Sequence, residues 1–460
     1  MIYYYPTNPA TWFRSRWRIR CGVLYAVRDL LLFVVIFGSL PLIFYRPHFG
    51  IIVWTWLSLM NPHRFTWGLA YDFPFAKVVG AVTLVAMLLS PQRKRLPLTR
   101  ETILLLMFIA WMLLTTVLAL EQSEAWAQWD KVSKIQLIVL LTMMALSDRR
   151  KLELFIWMIV LSVGFYGVKG GLFTVVNGGV SHVLGPPSSF IEDNNHLGMA
   201  LVMVIPLIRY LQLTQKRRWV RTCLTVAIIL NCIATLGTQS RGAFIGIAVT
   251  LGFLALKSRR RLMLLTASVI VAPIALALMP ESWHQRMSSI RDYRNDSSAM
   301  GRINAWGFAV NLATDRPLVG GGFETFSPRW FAVYAPDPTD VHDAHSIYFE
   351  VLGEHGFVGL MLFLSIWLLV WQGCSQLIRL ARGYEDLTWA ADLGRMCQVC
   401  LTAYASTGAF VGLAYFDLYY NIIALYVIAK LIVMERITLA NEERIMEASP
   451  PRRRLSVATH

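Results

Sequence analysis

The longest polar segment of this chain, residues 280–350, ends in Asp340-Val-His342-Asp343-Ala-His345-Ser-Ile-Tyr-Phe-Glu350. The next apolar run begins directly at this point, and elsewhere the sequence alternates apolar runs with short loops. Ionisable residues at the edge of an apolar run are typical of a water-accessible functional site at a membrane boundary. We therefore expect chemistry at residues 340–350 and expect the other apolar runs to form a helical frame around it.

Composition supports a membrane protein. Hydrophobic residues make up 56% of the 460 residues and charged residues only 15%, which excludes a soluble enzyme and a disordered chain. The net charge of +15 would suit a nucleic-acid partner, but the basic residues cluster in short loops between apolar runs. Such clustering is the positive-inside pattern, so we expect contact with membrane lipids and no nucleic-acid partner. The sequence predicts an all-α, polytopic integral membrane protein.

Twelve of the apolar runs are predicted to cross a membrane. These are residues 30–45, 75–90, 102–120, 132–146, 152–168, 197–213, 222–236, 243–256, 262–279, 346–372, 396–413 and 418–433. Basic loops alternate with mostly acidic or uncharged loops along this series, which places both chain ends in the cytoplasm. The run of residues 50–60 is too short to cross, so it is expected to be re-entrant or to lie near the surface.

The same loop charges divide the chain into five parts. Residues 1–28 are a basic cytoplasmic arm, and residues 29–279 carry the first nine crossings. Residues 280–345 form one large helical loop domain on the outer side. Residues 346–435 carry the last three crossings, and residues 436–460 are a basic cytoplasmic tail.

Two arginines stand out on the predicted outer side. Arg241 lies at the outer end of two predicted helices, where a positive residue is not expected. Arg302 follows Gly301 at the predicted start of an amphipathic helix, and the free amides of a first helical turn favour anions. A guanidinium holds a phosphate through two parallel hydrogen bonds, so both are candidate phosphate ligands. The alternatives are an exposed turn arginine at 241 and a solvated or salt-bridged arginine at 302.

The histidine pair allows two interpretations. Asp340, His342, Asp343 and His345 offer metal-ligand chemistry, but two histidines three residues apart are a weak signal without a further ligand cluster. His345 directly precedes a long apolar run and suits a general base, because neutral imidazole accepts a proton near pH 7. A polar residue that only marks the membrane interface is the alternative. We expect no metal and no cofactor.

Taken together, these motifs resemble the shared core of the bacterial O-antigen ligases and O-antigen polymerases. The matching stretches are Ser240-Arg241-Gly242-Ala243, Arg302 with Trp306 and Ala309, Asp315-Arg-Pro317-Leu-Val-Gly320-Gly-Gly322, His345-Ser-Ile-Tyr348-Phe-Glu350 and Glu354-His-Gly356-Phe-Val-Gly359. Ser346 stands where the family usually has asparagine. Upstream, Asn61-Pro-His-Arg-Phe-Thr-Trp-Gly-Leu-Ala-Tyr-Asp-Phe-Pro-Phe resembles the O-glycosylation ligases encoded with exosortase systems.

The resemblance implies a metal-independent, inverting glycosyltransferase of the C-type membrane kind in the bacterial inner membrane, with its active site facing the periplasm. Its donor would be a preassembled glycan on undecaprenyl diphosphate. Its acceptor would be a hydroxyl of lipid A-core, as in lipopolysaccharide biosynthesis, or of another periplasmic glycan or protein. Arg241 and Arg302 would bind the diphosphate, His345 would be the base, and Asp343 would orient the imidazole.

Three further residues are candidates for support or glycan binding. Asn194 and Asn195 precede a predicted crossing, and their amides are able to hydrogen-bond sugar hydroxyls, although a helix cap explains them equally well. Glu350 lies within the histidine motif. The glycines at 320–322 are interpreted as a turn and not as a phosphate cradle, because no strand or lysine motif accompanies them.

Two other functions remain open at this point. A polymerase would use the same donor and the same base, with a second lipid-linked repeat unit as its acceptor. A transporter of a lipid-linked glycan is a different class. Transporters usually place charged residues near the membrane midplane, whereas the charged candidates here lie at the outer ends of the predicted helices.

Overall fold

The computed structural model describes residues 11–90, 95–257 and 297–448, together with residues 262, 273, 277, 279–281, 283 and 284. Throughout these parts of the chain every regular element is a helix, and no strand occurs. The predicted all-α fold class is therefore confirmed.

The described α-helices are numbered here in chain order. They are α1 Thr11–Tyr45, α2 His48–Met60, α3 Phe75–Leu89, α4 Arg100–Val117, α5 Gln122–Ala145, α6 Arg149–Val176, α7 Asn194–Thr214, α8 Arg218–Gly237, α9 Arg241–Lys257, α10 Ser297–Asp315, α11 Pro328–Tyr334, α12 Ile347–Ala381, α13 Thr388–Gly408 and α14 Asp417–Ala448.

Among the described residues, six helices are long and apolar enough to cross a membrane. They are Val27–Tyr45 within α1, and α4, α6, α7, α8 and α12. All six coincide with predicted crossings, as expected for a polytopic membrane protein. The total of twelve crossings stays a prediction, and most of the predicted crossing at 262–279 lies outside the described residues.

The core of the bundle is built around α7. Almost every side chain from Leu197 to Leu211 is fully buried, as are the apolar residues of α14 from Leu418 to Ala429. A helix that is apolar on all faces has to be enclosed by other helices, and α7 packs against α6, α8, α9 and α13. This packing fixes the N-terminal end of α7, which takes part in the site described below.

The predicted boundaries of the basic arm and the basic tail stay predictions, and each of them falls inside a long helix. The boundary between arm and first crossing at residue 28 falls inside α1, and the start of the tail at residue 436 falls inside α14. The short run of residues 50–60 lies in α2, which is largely buried against α3 and α6. Its re-entrant or surface position relative to the membrane stays a prediction.

Candidate active site

A cavity of about 590 Å³ opens at one end of the helix bundle. It is lined by the C-terminal end of α2, by the N-terminal parts of α3, α5, α7 and α12, and by the loop of residues 409–416. Helices α5, α7 and α12 all run from this cavity towards basic residues, which are Arg149, Arg217 and Arg382 respectively. The cavity therefore lies at the end of the bundle away from the basic loops.

A second cavity, of about 650 Å³, is lined mainly by apolar side chains of α6, α7 and α8. None of the candidate residues from the sequence lines it. The polar cavity is therefore the candidate active site.

His345 lines the polar cavity at the last loop positions before α12. Its φ angle is 42°, in the left-handed region that residues with a Cβ seldom adopt. The indole of Trp306 donates a hydrogen bond of 2.8 Å to the carbonyl of the preceding Ala344, which holds the backbone in place. Strained backbone of this kind clusters at functional sites, so the geometry adds to the case for His345.

The environment of His345 favours its neutral form. Burial lowers the pKa of the imidazole from its ordinary value of 6.5, and the positive charge of Arg302 lowers it further. The carboxylates of Asp343 and Asp193 act in the opposite direction, without reversing the shift of this pKa. His345 is therefore neutral at pH 7, which is the form that a general base needs.

Helix α10 supports the loop that leads to His345. The amide of Asn304 donates hydrogen bonds of 2.8 Å to the carbonyls of Asp337 and Asp340. Trp306, besides its bond to Ala344, stacks on Phe349 with ring centroids 4.9 Å apart. Trp306 therefore contacts the chain both before His345, at Ala344, and after it, at Phe349.

Arg302 lies on the same helix, but not where the sequence placed it. Because α10 is helical from Ser297, Arg302 is not in its first turn, and the prediction of an anion site at the helix N-terminus is wrong. Gly301 misled that prediction: it lies inside the helix because the imidazole of His342 packs where a Cβ would be. Any role of Arg302 must therefore come from its guanidinium alone.

Arg241 is the first residue of α9 and does not line the cavity. The turn before it is held by Asn194, whose Nδ2 donates a hydrogen bond of 2.8 Å to the carbonyl of Thr238. Gln239 has a φ of 54° and donates to the carbonyl of Gly179 at 2.9 Å. Asn194 therefore positions the turn that carries Arg241, which the sequence alone did not indicate.

The residue that caps α7 is Asp193. Its Oδ1 accepts a hydrogen bond of 2.7 Å from the backbone N–H of Asn195. The asparagines are therefore not the cap, and neither Asn194 nor Asn195 lines the cavity. The neighbouring His196 does line it.

His342 is separate from His345. Its Nε2 lies 2.9 Å from a carboxylate oxygen of Asp340, and the residue does not line the cavity. Within the part of the chain that the structure describes, no group of three His, Cys, Asp or Glu side chains is arranged to hold a metal ion.

Helix α12 is interrupted beside the cavity at Gly356, where φ is 66° and ψ is −171°. The carbonyls of Gly353 and Glu354 accept hydrogen bonds of 2.8 Å from the backbone N–H groups of Gly321 and Gly322. The φ angles of Gly320 and Gly322 are 60° and 83°, so the prediction of a turn at 320–322 is confirmed. The glycine-rich motif and the Glu354-His-Gly356 motif are thus joined by backbone hydrogen bonds into one structural unit.

The Gly356→Ala variant is expected to unfold more easily. An alanine in this positive-φ conformation, which is essentially restricted to glycine, costs about 1–3 kcal/mol, and its Cβ would lie 2.7 Å from the carbonyl oxygen of Pro317. The midpoint of thermal unfolding in detergent should therefore fall. Gly252→Ala in α9 is the matched control, because a Cβ there meets no atom within 4 Å. An unchanged unfolding midpoint for Gly356→Ala would contradict the requirement for glycine at this position.

Two carboxylates of α12 hold neighbouring loops around the cavity. Glu350 accepts a hydrogen bond of 3.1 Å from the backbone N–H of Ala414. Glu354 accepts one of 2.9 Å from the N–H of Glu324 and one of 2.5 Å from the hydroxyl of Tyr415. Glu350, a sequence candidate, is therefore in the cavity with Asp343 and His345, and Glu354 is a member that the sequence did not single out.

Two stretches of the chain match family models. Residues 224–364 match the model of a family described as O-antigen ligase, and residues 27–216 match a family of unknown function (DUF5935). The first match contains the two candidate arginines and His345. No curated protein matches the chain.

Proposed function

The chain belongs to the O-antigen ligase superfamily through residues 224–364, and from this premise we propose that it is a ligase-type glycosyltransferase. It transfers a preassembled glycan from undecaprenyl diphosphate to a hydroxyl of lipid A-core or of another periplasmic acceptor. The observation that carries the proposal is His345, which lies in a polar cavity within the electrostatic influence of Arg302. The protein acts in the bacterial inner membrane with this cavity open to the periplasm, and it is one of the exosortase-associated ligases.

The reaction that we propose is a single displacement at the anomeric carbon. His345 takes the proton of the acceptor hydroxyl while its oxygen forms a bond to that carbon. The bond from the carbon to the diphosphate oxygen breaks, and its electron pair leaves with the lipid diphosphate. Attack from the opposite face inverts the anomeric configuration. Asp343 shares the cavity with His345 and orients the imidazole.

The leaving group explains the need for the arginines. A diphosphate leaves readily when its developing charge is neutralised by preorganised donors, so no strong acid is required. Arg241 and Arg302 supply two guanidiniums, each able to form paired hydrogen bonds with phosphate oxygens. We propose that they take this role without a metal ion.

Two alternatives differ from the ligase in what they do with the donor. A polymerase would transfer the glycan to a second undecaprenyl-linked unit by the same chemistry. A transporter would move the donor across the membrane without cutting it. The candidate residues support an enzyme, because none of them lies along the middle of a candidate membrane span.

A strain that lacks the protein is expected to accumulate the undecaprenyl-linked glycan on the outer face of the inner membrane. The donor would still be made and flipped, but it would not be consumed. Accumulation on the inner face would instead identify a transporter. Purified protein with lipid A-core then separates the two enzymes, since a ligase makes a lipid A-linked product and a polymerase lengthens the undecaprenyl-linked glycan.

A further inference from the structure

The cavity that contains His345 has two walls from different parts of the chain. One wall comes from the region matched by the family of unknown function and includes Asn61, His63, Gln128, Lys131 and His196. The other comes from residues 324–354 and from the loop of residues 409–416. The region of unknown function therefore forms part of the reaction chamber.

Several polar side chains of the first wall have no protein partner for their hydrogen bonds. Within the described parts of the chain, the side chains of Gln128, Lys131 and His196 form no hydrogen bond and no salt bridge. His63 is similar: its Nδ1 is buried without a partner, and burial lowers the pKa of its imidazole to about 4, so that it is neutral. These groups are available to donate to or accept from a ligand.

Aromatic side chains complete the lining. Phe190, Phe326 and Phe416 all contribute to the cavity surface. A volume of about 590 Å³ is within the range of small-molecule binding sites, which combine aromatic surface with a few polar groups. An aromatic face packs against the C–H face of a sugar ring, while amides, imidazoles and hydroxyls bind its hydroxyl groups. The lining therefore has the chemistry of a carbohydrate site.

The charges of the cavity restrict which sugar fits. Four carboxylates line it, from Glu324, Asp343, Glu350 and Glu354, against one lysine, Lys131. Desolvation raises the pKa of Glu324, Lys131 opposes that shift, and the negative charges of Asp343 and Glu124 add to it. A sugar with its own carboxylate would add a further negative charge to this set. The cavity is thus suited to an uncharged sugar.

We propose that residues 27–216 supply the sugar-binding wall of the active site and that the carboxylates of the opposite wall restrict the site to an uncharged sugar residue. The inference rests on the proposed function and adds its substrate class. The sugar is either the first residue of the donor glycan or the residue of the acceptor that carries the reacting hydroxyl. Both sources present the same hydroxyl-rich ring to the wall.

The test compares two wall variants, Gln128→Ala and Lys131→Ala, with the matched control Lys134→Ala. Lys134 lies on the same helix, pairs with Asp130 and does not line the cavity. Binding to the full-length protein in detergent is measured for undecaprenyl diphosphate, undecaprenyl diphosphate glucose and undecaprenyl diphosphate glucuronic acid. The KM for lipid A-core is measured in a transfer assay, and thermal unfolding verifies the fold of each variant.

Loss of one hydrogen bond to the sugar should weaken binding by about 3–10-fold. If the wall holds the donor sugar, both variants weaken binding of the glucose donor but not of undecaprenyl diphosphate itself. If it holds the acceptor sugar, donor binding is unchanged and the KM for lipid A-core rises by the same factor. If the wall holds the donor sugar, the wild-type protein should also bind undecaprenyl diphosphate glucose more tightly than undecaprenyl diphosphate glucuronic acid.

Three results would overturn the inference. The first is that neither donor binding nor acceptor KM changes in the wall variants. The second is that Lys134→Ala has the same effect as they have. The third is that donor binding responds to the wall variants while the glucuronic acid donor binds as tightly as the glucose donor. If the wild-type protein binds none of the three lipids and transfers nothing, the proposed function itself fails, and this inference fails with it.

Discussion

Replacing His345 with alanine is expected to slow glycan transfer by about 10²–10⁴-fold, the usual loss when a general base is removed. The imidazole lies in the cavity on a backbone held by Trp306 and α12, so it is positioned before the substrate binds. The rate of transfer from a purified undecaprenyl diphosphate glycan measures the effect. Donor binding should change little, because the base acts on the acceptor.

His342→Ala is the matched control. His342 carries the same side chain three residues earlier, but it pairs with Asp340 outside the cavity, so its loss should have a much smaller effect on the rate. Activity should also survive EDTA. Equal losses of rate in both variants, together with inhibition by EDTA, would contradict the general-base role of His345 and indicate a metal site instead.

The pH profile gives an independent test of His345. The base is active when neutral, and its pKa is lowered from 6.5 by burial and by Arg302. The midpoint of the acidic limb of the rate profile should therefore lie below pH 6.5, because the imidazole becomes half protonated only there. A midpoint at or above pH 6.5 would contradict this assignment.

Arg241→Ala and Arg302→Ala are each expected to slow transfer by about 10²–10³-fold, the scale for removing one donor to a developing negative charge. Lysine at either position should restore only part of the rate, because the paired hydrogen bonds of the guanidinium are lost. Reconstituted protein with purified donor measures both effects. Arg329→Ala is the control, since this exposed arginine of the same loop domain lies over the ring of Trp330 and does not line the cavity.

The Arg302 variant should differ from the Arg241 variant in its pH profile. Removing the Arg302 charge removes one cause of the lowered pKa of His345, so the acidic limb should move to higher pH. A well-folded Arg302→Ala protein with normal transfer would show that this arginine does not bind the diphosphate. An Arg302→Ala variant that is slow but keeps the acidic limb of its pH profile at the wild-type pH would show that Arg302 does not influence the pKa of His345.

The sequence predicted the catalytic side of the cavity better than the opposite side. His345 and Glu350 were found because polar residues at the start of an apolar run are conspicuous, and both line the cavity. Local patterns also identified the turn at 320–322. The start of α10 was mispredicted because glycine normally weakens a helix, whereas Gly301 is inside one to leave room for His342.

The other wall depends on contacts between distant parts of the chain. His63, Gln128 and Glu324 line one cavity, although more than sixty residues separate each from the next in sequence. Local periodicity in the sequence does not reveal contacts between such distant residues. Gln128, for example, has the pattern of any polar residue on an exposed helix. His196 had a local signal, since it is a histidine at the start of an apolar run, and Asn61 and His63 belong to the upstream stretch quoted for its resemblance.

The cavity that contains His345 is lined by side chains from residues 27–216, 224–364 and 409–416, so none of these stretches forms it alone. A chimera that grafts residues 224–364 onto an unrelated membrane scaffold would import the reactive groups without the surface that receives the sugar. Recombination between residues 216 and 224 would exchange one wall while leaving the chemistry in place. Recombination of this kind would change which glycan is preferred while leaving His345 and its surroundings unchanged.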